Sequence, residues 1–185
     1  MSCHLCDADD ADILRISGIN FCGPCRATDP RELLLTHGIV LDWNVMLGWL
    51  SASIALPRQS TGFALKCVPE QVHTKIMKLL VHEVEVGDPV FDDRVFVRTS
   101  DPGRAAETLA NEGVQSAVLY LLAERNPGRT SMTPRISLDG TTLSARVHAG
   151  GGPTSRSATT TCLELTALAL HLSGILSEQA TAAQA

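Results

Sequence analysis

Two pairs of cysteines near the amino terminus constrain the folding of this chain more than any other feature. Two residues separate the members of each pair, and fifteen residues separate the two pairs. This spacing lets both thiolates of a pair reach one ion at about 2.3 Å from each sulfur, and two pairs complete a closed tetrahedral shell. Because a closed shell leaves no position for water, the pattern predicts one structural zinc ion rather than a catalytic one. The predicted ligands are Cys3, Cys6, Cys22 and Cys25.

The second pair, Cys22-Gly-Pro-Cys25, also has the form of the active-site dithiol of a thioredoxin. Such a site needs a strand before the motif and a helix directly after it, within a βαβ unit. Only 21 residues precede Cys22, two of them cysteines, and the chain that follows shows no βαβ pattern. Metal binding is therefore favoured, and a thiol–disulfide redox protein that uses Cys22 and Cys25 is the alternative.

The residues between and after the two pairs predict a hairpin and a helix. Apolar residues alternate on both sides of Gly18, which is typical of a short hairpin. Thr28 or Asp29 can cap a helix that begins at Pro30 and stops at Gly38. The order of knuckle, hairpin, knuckle and helix resembles that of treble-clef zinc fingers. This resemblance implies one zinc ion held by all four cysteines, with the second pair at the start of the helix.

The charge of this amino-terminal segment argues against a nucleic-acid partner. Residues 1–35 carry six acidic and three basic side chains, and the whole chain has a net charge of −5. Four thiolates around a divalent ion would add further negative charge. Since nucleic acids are bound through clustered Lys and Arg, phosphate would be repelled. Another protein is the expected partner, and a nucleic-acid-binding regulator is a second alternative.

The start of the chain and its most apolar span predict a cytoplasmic protein without a membrane span. The first residues have neither the basic start nor the apolar run of a secretory leader, and the grouped cysteines favour a reducing compartment. Residues 38–56 are long and apolar enough to suggest a membrane helix. However, Asp42 and Asn44 lie within them and are costly in hydrocarbon, so buried strands are predicted instead.

The remaining residues predict a sheet with packed helices. Period-two patterns place strands at 49–56 and 63–68, and residues 70–87 suggest a short helix followed by a strand. A later helical pattern breaks near Asn111, and the dipeptide at 139–140 signals a type I′ hairpin turn. Because the strands outnumber the helices and do not alternate with them regularly, the predicted fold class is α+β with a mainly antiparallel sheet.

The same patterns predict the organisation of the chain. Thr161 and Glu164 have the spacing of a capping box for a last helix, with an apolar stripe behind them. The predicted segments are a zinc-binding module at 1–38, an α+β domain at 39–149, a flexible linker at 150–160 and a carboxy-terminal helix at 161–178 that packs on the domain.

One stretch of the larger domain carries a second resemblance. The segment "GDPVFDDRVFVRTSDP", followed by a broken helix and a strand–turn–strand unit, resembles an uncharacterised bacterial domain family. The resemblance covers about residues 63–148. It implies a bacterial source and an α+β fold, and it implies no activity and no catalytic residue.

Acidic and histidine side chains outside the cysteine pairs form no obvious catalytic constellation. Asp88, Asp92 and Asp93 could form a carboxylate site, but turn and capping chemistry explains them as well. His82 has no partner at metal-ligand spacing. An enzyme of unrecognised type would need a pocket that gathers Asp88, Asp92 or His82.

Three further features also favour a non-enzymatic protein. The glycine-rich residues 150–156 lack the Gly-Lys-Ser/Thr ending of a phosphate-binding loop and are interpreted as a linker. Cys67 and Cys162 have no His or Asp close in sequence that would activate them, so they are expected to be core or helix-face thiols. The favoured interpretation is a zinc-stabilised binding or adaptor protein whose larger domain recognises a protein partner.

Overall fold

The computed structural model describes residues 1–46, 48–57, 63–70, 84–122, 133–149 and 156–182. Within them the chain forms eight strands and six helices. The strands are β1 (Leu14–Ile16), β2 (Ile19–Phe21), β3 (Val40–Met46), β4 (Trp49–Ala55), β5 (Ala64–Pro69), β6 (Val95–Thr99), β7 (Arg135–Asp139) and β8 (Thr142–His148). The helices are α1 (Gly23–Ala27), α2 (Pro30–Leu35), α3 (Pro89–Arg94), α4 (Pro102–Leu109), α5 (Glu112–Leu122) and α6 (Arg156–Ala182).

Six strands form one sheet in the order β3-β4-β8-β7-β5-β6, and every neighbouring pair is antiparallel. Burial alternates along the strands, as in β4, where Leu50, Ala52 and Ile54 are buried. Because side chains two residues apart share a face of a sheet, the sheet has an apolar inner face and a more polar outer face. Helices α5 and α6 contribute to the core on the inner face. The predicted α+β fold with a mainly antiparallel sheet is confirmed.

The apolar span at 38–56 contains β3 and β4, so the prediction of strands rather than a membrane helix is confirmed. In the described part of the chain, one helix is long and apolar enough to cross a membrane, namely α6 over Ala158–Gln179. Of its most apolar window, 61% is buried inside the protein, as in the core helix of a globular protein.

Helix α6 is the central element of the fold. Nine consecutive residues, 161–169, are buried. One side of the helix packs on the main core through residues such as Leu165, Leu168 and Leu172. The other side supplies Leu163 and Ala167 to a second cluster, which contains apolar residues of the β1–β2 hairpin. Because both sides are covered, this part of α6 lacks the polar stripe of a surface helix.

The predicted bounds of the last helix are wrong at both ends. Helix α6 begins at Arg156 and ends at Ala182, so residues 156–160 of the predicted linker are helical. Thr161 therefore lies inside the helix and cannot cap it, and Glu164 accepts a hydrogen bond from Ser17 instead of closing a capping box. The spacing of a capping box was present, but Ala158 packs into the main core and the helix begins before that residue.

The turn of the β7–β8 hairpin lies one residue later than predicted. Asp139 pairs with Thr142, so the two turn residues are Gly140 and Thr141. Of these two, only Gly140 has a positive φ, at 57°. A type I′ turn needs positive φ at both positions, whereas type II′ places glycine at the first. The arrangement is therefore that of a type II′ turn.

Several predicted helix boundaries are confirmed by capping contacts. The Asp29 side chain accepts from the backbone N–H of Arg31 at the start of α2. Gly38, with φ of 70°, follows that helix. Asn111 lies at the predicted break between α4 and α5, where its Oδ1 accepts from the N–H groups of Gly113 and Val114.

Two predictions fall largely on residues outside those described. Of the helix and strand predicted at 70–87, residues 71–83, which include His82, lie outside the described ranges, and residues 84–87 have no regular structure. Residues 150–155 of the predicted linker also lie outside the described ranges.

Candidate metal centre

The fold brings the four amino-terminal cysteines together. Their Sγ atoms all lie within 4.8 Å of one another, and the Sγ atoms of Cys6 and Cys22 are 3.7 Å apart. A tetrahedral shell with metal–sulfur distances of about 2.3 Å has sulfur–sulfur edges of about 3.8 Å. Cys3, Cys22 and Cys25 are buried, and Cys6 is exposed. The four cysteines are therefore positioned to bind one metal ion.

The first pair lies on a tight turn that is attached to strand β2. The N–H of Asp7 donates to the carbonyl of Cys3 at 3.1 Å, and Asp7 adopts a left-handed φ of 55° that reverses the chain. The N–H of His4 donates to the carbonyl of Asn20, and the N–H of Asn20 donates to Nδ1 of His4 at 2.8 Å. One ring nitrogen of His4 is thus engaged with the backbone.

The second pair lies at the start of helix α1. Cys22 is the residue before the helix, and the N–H of Arg26 donates to its carbonyl at 3.0 Å. The backbone N–H of Cys22 also points at Sγ of Cys3, 3.5 Å away. N–H donors directed at sulfur favour the thiolate form, so the backbone of one pair supports ligation by the other.

Acidic side chains close to the cysteines connect the first pair to α1. Oδ2 of Asp10 accepts from the N–H of Gly23 at 3.1 Å, and its Oδ1 accepts from the N–H of Asp12. Those backbone contacts lower the pKa of Asp10. Asp12 forms an ion pair with Arg26. The acidic residues that argued against a nucleic-acid role therefore also have local structural contacts.

The thiols differ in their protonation. Burial acts to raise the pKa of Cys3, but hydrogen bonds from the N–H groups of Leu5, Cys22 and Cys6 lower it to about 6. Burial, followed by the neighbouring thiols, raises the pKa of Cys25 well above its ordinary value. Because thiolates this close repel one another, a cation is needed before all four can ionise. The site has the electrostatic character of a cation-binding thiolate shell.

The geometry is less suited to dithiol exchange. A catalytic dithiol needs an accessible thiol with a lowered pKa. Cys22 and Cys25 are only 2% and 7% exposed, and the pKa of Cys25 is raised. In addition, every strand pairing in the described residues is antiparallel, so the parallel βαβ unit of a thioredoxin is not found among them.

The two remaining cysteines are buried and do not belong to this cluster. Cys67 lies in β5 and Cys162 in α6. Burial raises the pKa of Cys67 to about 12. Burial, together with the charge of Asp29, raises the pKa of Cys162 to about 12. Both side chains are protonated thiols at neutral pH, as expected of core residues.

The carboxylates singled out in the sequence do not converge. Oδ1 of Asp88 accepts from the N–H groups of Val90 and Phe91 and caps α3. The two carboxylate oxygens of Asp92 accept from the N–H groups of Val86 and Gly87. Asp93 lines a cavity of about 250 Å³ elsewhere, against β5, β6 and α5. Among the described residues, the four cysteines are the one cluster of three or more potential metal ligands.

A contact that the sequence did not reveal attaches the metal centre to the rest of the protein. The β1–β2 turn consists of Ser17 and Gly18, with φ values of 45° and 86°, as a type I′ turn requires. The Ser17 hydroxyl donates to Oε2 of Glu164 at 2.5 Å, and Nε2–H of His171 donates to the Ser17 carbonyl at 2.7 Å. Burial raises the pKa of Glu164, against the opposing effect of the Ser17 hydrogen bond.

Ser-Gly is a recognisable turn dipeptide, but the hydrogen-bond partners of Ser17 are 147 and 154 residues away along the chain, so no local pattern could reveal them.

Comparison with family models, curated proteins and solved structures finds no match for the chain. The resemblance of residues 63–148 to an uncharacterised bacterial domain family therefore has no support from these comparisons.

Proposed function

We propose that this protein binds one structural zinc ion through Cys3, Cys6, Cys22 and Cys25 and acts as a non-enzymatic binding or adaptor protein. The observation that carries the proposal is the convergence of four Sγ atoms within 4.8 Å of one another. Four thiolates in a tetrahedral arrangement are typical of zinc or iron–sulfur sites. Zinc is favoured because the two separate pairs match the ligand spacing of structural zinc modules.

A structural role follows from the closed shell and its surroundings. Four protein ligands leave no position for water, so the ion cannot generate a nucleophile. The core around the site is small and consists of the buried cysteines and Leu33, with Leu5 and Ile13 packed against it. Such a core is insufficient to hold the segment, whereas structural zinc supplies about 10 kcal/mol or more of apparent binding energy.

The attachment of the hairpin to α6 supports an adaptor that presents a defined surface. Ile16, Ile19 and Phe21 pack against Leu163 and Ala167 of α6. The ion would therefore stabilise one side of the folded protein rather than an independent finger. We propose a protein partner and a cytoplasmic location, since reduced thiolates are required for the site.

The test is a metal analysis of the purified reduced protein and two cysteine variants. We expect one zinc per chain, and Co²⁺ substitution should give the absorption of a tetrahedral thiolate site. Cys22→Ser should reduce metal affinity at least ten-fold, whereas Cys67→Ala should leave the metal content unchanged because Cys67 is buried in β5. Absence of bound metal, together with a reversible Cys22–Cys25 disulfide, would contradict the proposal and favour the redox alternative. Bound iron would contradict the assignment of zinc.

A further inference from the structure

The outer face of the six-stranded sheet carries a concentration of basic side chains. We define the outer face by register, as the strand residues that share a face with Lys66 through the cross-strand pairs. It contains four basic side chains in four adjacent strands, whereas the whole chain has a net charge of −5. The four are Lys66 of β5, Arg98 of β6, Arg135 of β7 and Arg146 of β8.

These cations lie opposite one another in pairs. Lys66 is directly across from Arg98, and Arg135 is directly across from Arg146. Like charges in such cross-strand positions destabilise a sheet. Lys66, Arg98 and Arg135 are exposed, and none of them forms an ion pair within the described residues. The fold therefore retains three exposed cations on adjacent strands, two of them directly opposite one another, although acidic residues outnumber basic ones in the chain.

The residues that surround the two pairs have small, polar side chains. Ser137 of β7 is paired with Lys66 of β5 on one side and with Ser144 of β8 on the other. Ser144 is in turn paired with Ser53 of β4. This row of hydroxyl groups can donate hydrogen bonds to an anion. The acidic strand residues on the same face are Asp42, in edge strand β3, and Asp139, at the end of β7.

We propose that the outer face binds an acidic, extended segment of a partner protein through Lys66, Arg98 and Arg135. The inference deepens the proposed adaptor function and rests on it. With strands about 4.8 Å apart and a rise of about 3.3 Å per residue, the backbone positions of Arg98 and Arg135 are about 12 Å apart. A segment of about five extended residues spans that distance. Arginine can bind each carboxylate through two parallel N–H donors.

The same surface is poorly suited to a nucleic acid. Single strands are held by bases stacked on accessible aromatic rings. The aromatic residues that strand alternation places on the outer face are Trp49 and Phe96, and both are buried, with exposures of 7% and 2%. The negative net charge would also weaken long-range attraction of a polyphosphate. A short acidic peptide is bound through contacts with nearby side chains. The negative charges elsewhere on the protein weaken this binding less, because salt screens interactions between distant charges.

The binding test uses a fluorescent oligo-glutamate peptide, with oligo-lysine and oligo-dT as comparison probes. Binding measured by fluorescence anisotropy should be specific to oligo-glutamate and should weaken as salt concentration rises. Arg98→Glu and Arg135→Glu should each reduce the affinity about five-fold or more. Arg15→Glu is the matched control, because it makes the same charge change at an exposed position of β1, away from the outer face.

A second measurement separates a binding role from a structural one. Arg98→Glu replaces the repulsion with Lys66 by attraction, so it should raise the thermal midpoint of the free protein by about 2 °C while it weakens peptide binding. Equal loss of affinity in Arg15→Glu, tighter binding of oligo-dT, or no binding of oligo-glutamate would overturn the inference. Zinc content is measured on the same samples. Intact zinc without peptide binding rejects the surface alone, and missing zinc rejects the proposed function.

Discussion

Replacing Gly113 by alanine tests the contact between the metal-binding side of the protein and helix α6. Gly113 lies in the first turn of α5 and does not have a positive φ, so alanine suits its backbone. A Cβ atom built there would lie 2.5 Å from Cε1 of His171, closer still to its Nε2, and 2.8 Å from the carbonyl oxygen of Ser17. Gly174 of α6 is the matched control, because nothing lies within 4 Å of its added Cβ.

The two substitutions should change stability in opposite directions. In a helix, alanine is favoured over glycine by about 0.5–1 kcal/mol. Gly174→Ala should gain this amount. At Gly113 the overlap must displace His171 and the Ser17 carbonyl, and overpacking of this kind costs about 1–3 kcal/mol. Loss of the hydrogen bond between those two groups adds about 1 kcal/mol. The expected net effect of Gly113→Ala is a destabilisation of about 1–3.5 kcal/mol.

Chemical denaturation of the zinc-loaded protein, monitored by circular dichroism, measures the change in the free energy of unfolding of each variant. For a chain of this size, about 1 kcal/mol corresponds to a shift of about 2–4 °C in the thermal midpoint. Metal content should be unchanged in both variants, because neither residue contacts the cysteine cluster. If Gly113→Ala stabilises the protein as much as Gly174→Ala does, the close packing of α5, α6 and the β1–β2 turn is refuted.

Two further predictions concern protonation. Burial raises the folded-state pKa of Glu164 above its ordinary value. Its contribution to stability is therefore complete below the unfolded-state pKa and is lost as pH rises through the folded-state pKa. Glu164→Gln, which keeps an acceptor for Ser17, should reduce this loss in denaturation curves recorded from acidic to neutral pH, and an unchanged pH profile would contradict the assignment. Zinc affinity should fall as pH is lowered, because protons compete for the four thiolates. A competition titration with a chromophoric chelator measures this, and a pH-independent affinity would exclude thiolate ligation.

The sequence by itself determined the local features of this protein. The cysteine spacing indicated which four thiols could share one ion, and Asp29-Pro30 marked the start of α2. Asn111 marked the break between α4 and α5, and alternation marked β4 and β5. These features depend on interactions between residues a few positions apart. A linear pattern therefore contains most of the information that they require.

Only the tertiary structure decided how α6 begins, what surrounds it and which charges share a face. The sequence pattern of residues 156–160 predicts a linker, but Ala158 packs into the core and the segment is helical. The spacing of Glu164 from Thr161 predicts a capping box, but Glu164 accepts a hydrogen bond from Ser17, 147 residues away. The basic pairs of the outer face come from four strands that are adjacent in the sheet but are not all consecutive in the chain. Such contacts depend on the order of the strands and the placement of the helices. Both are selected by the burial of the apolar surface of the whole chain, and no local sequence pattern specifies them.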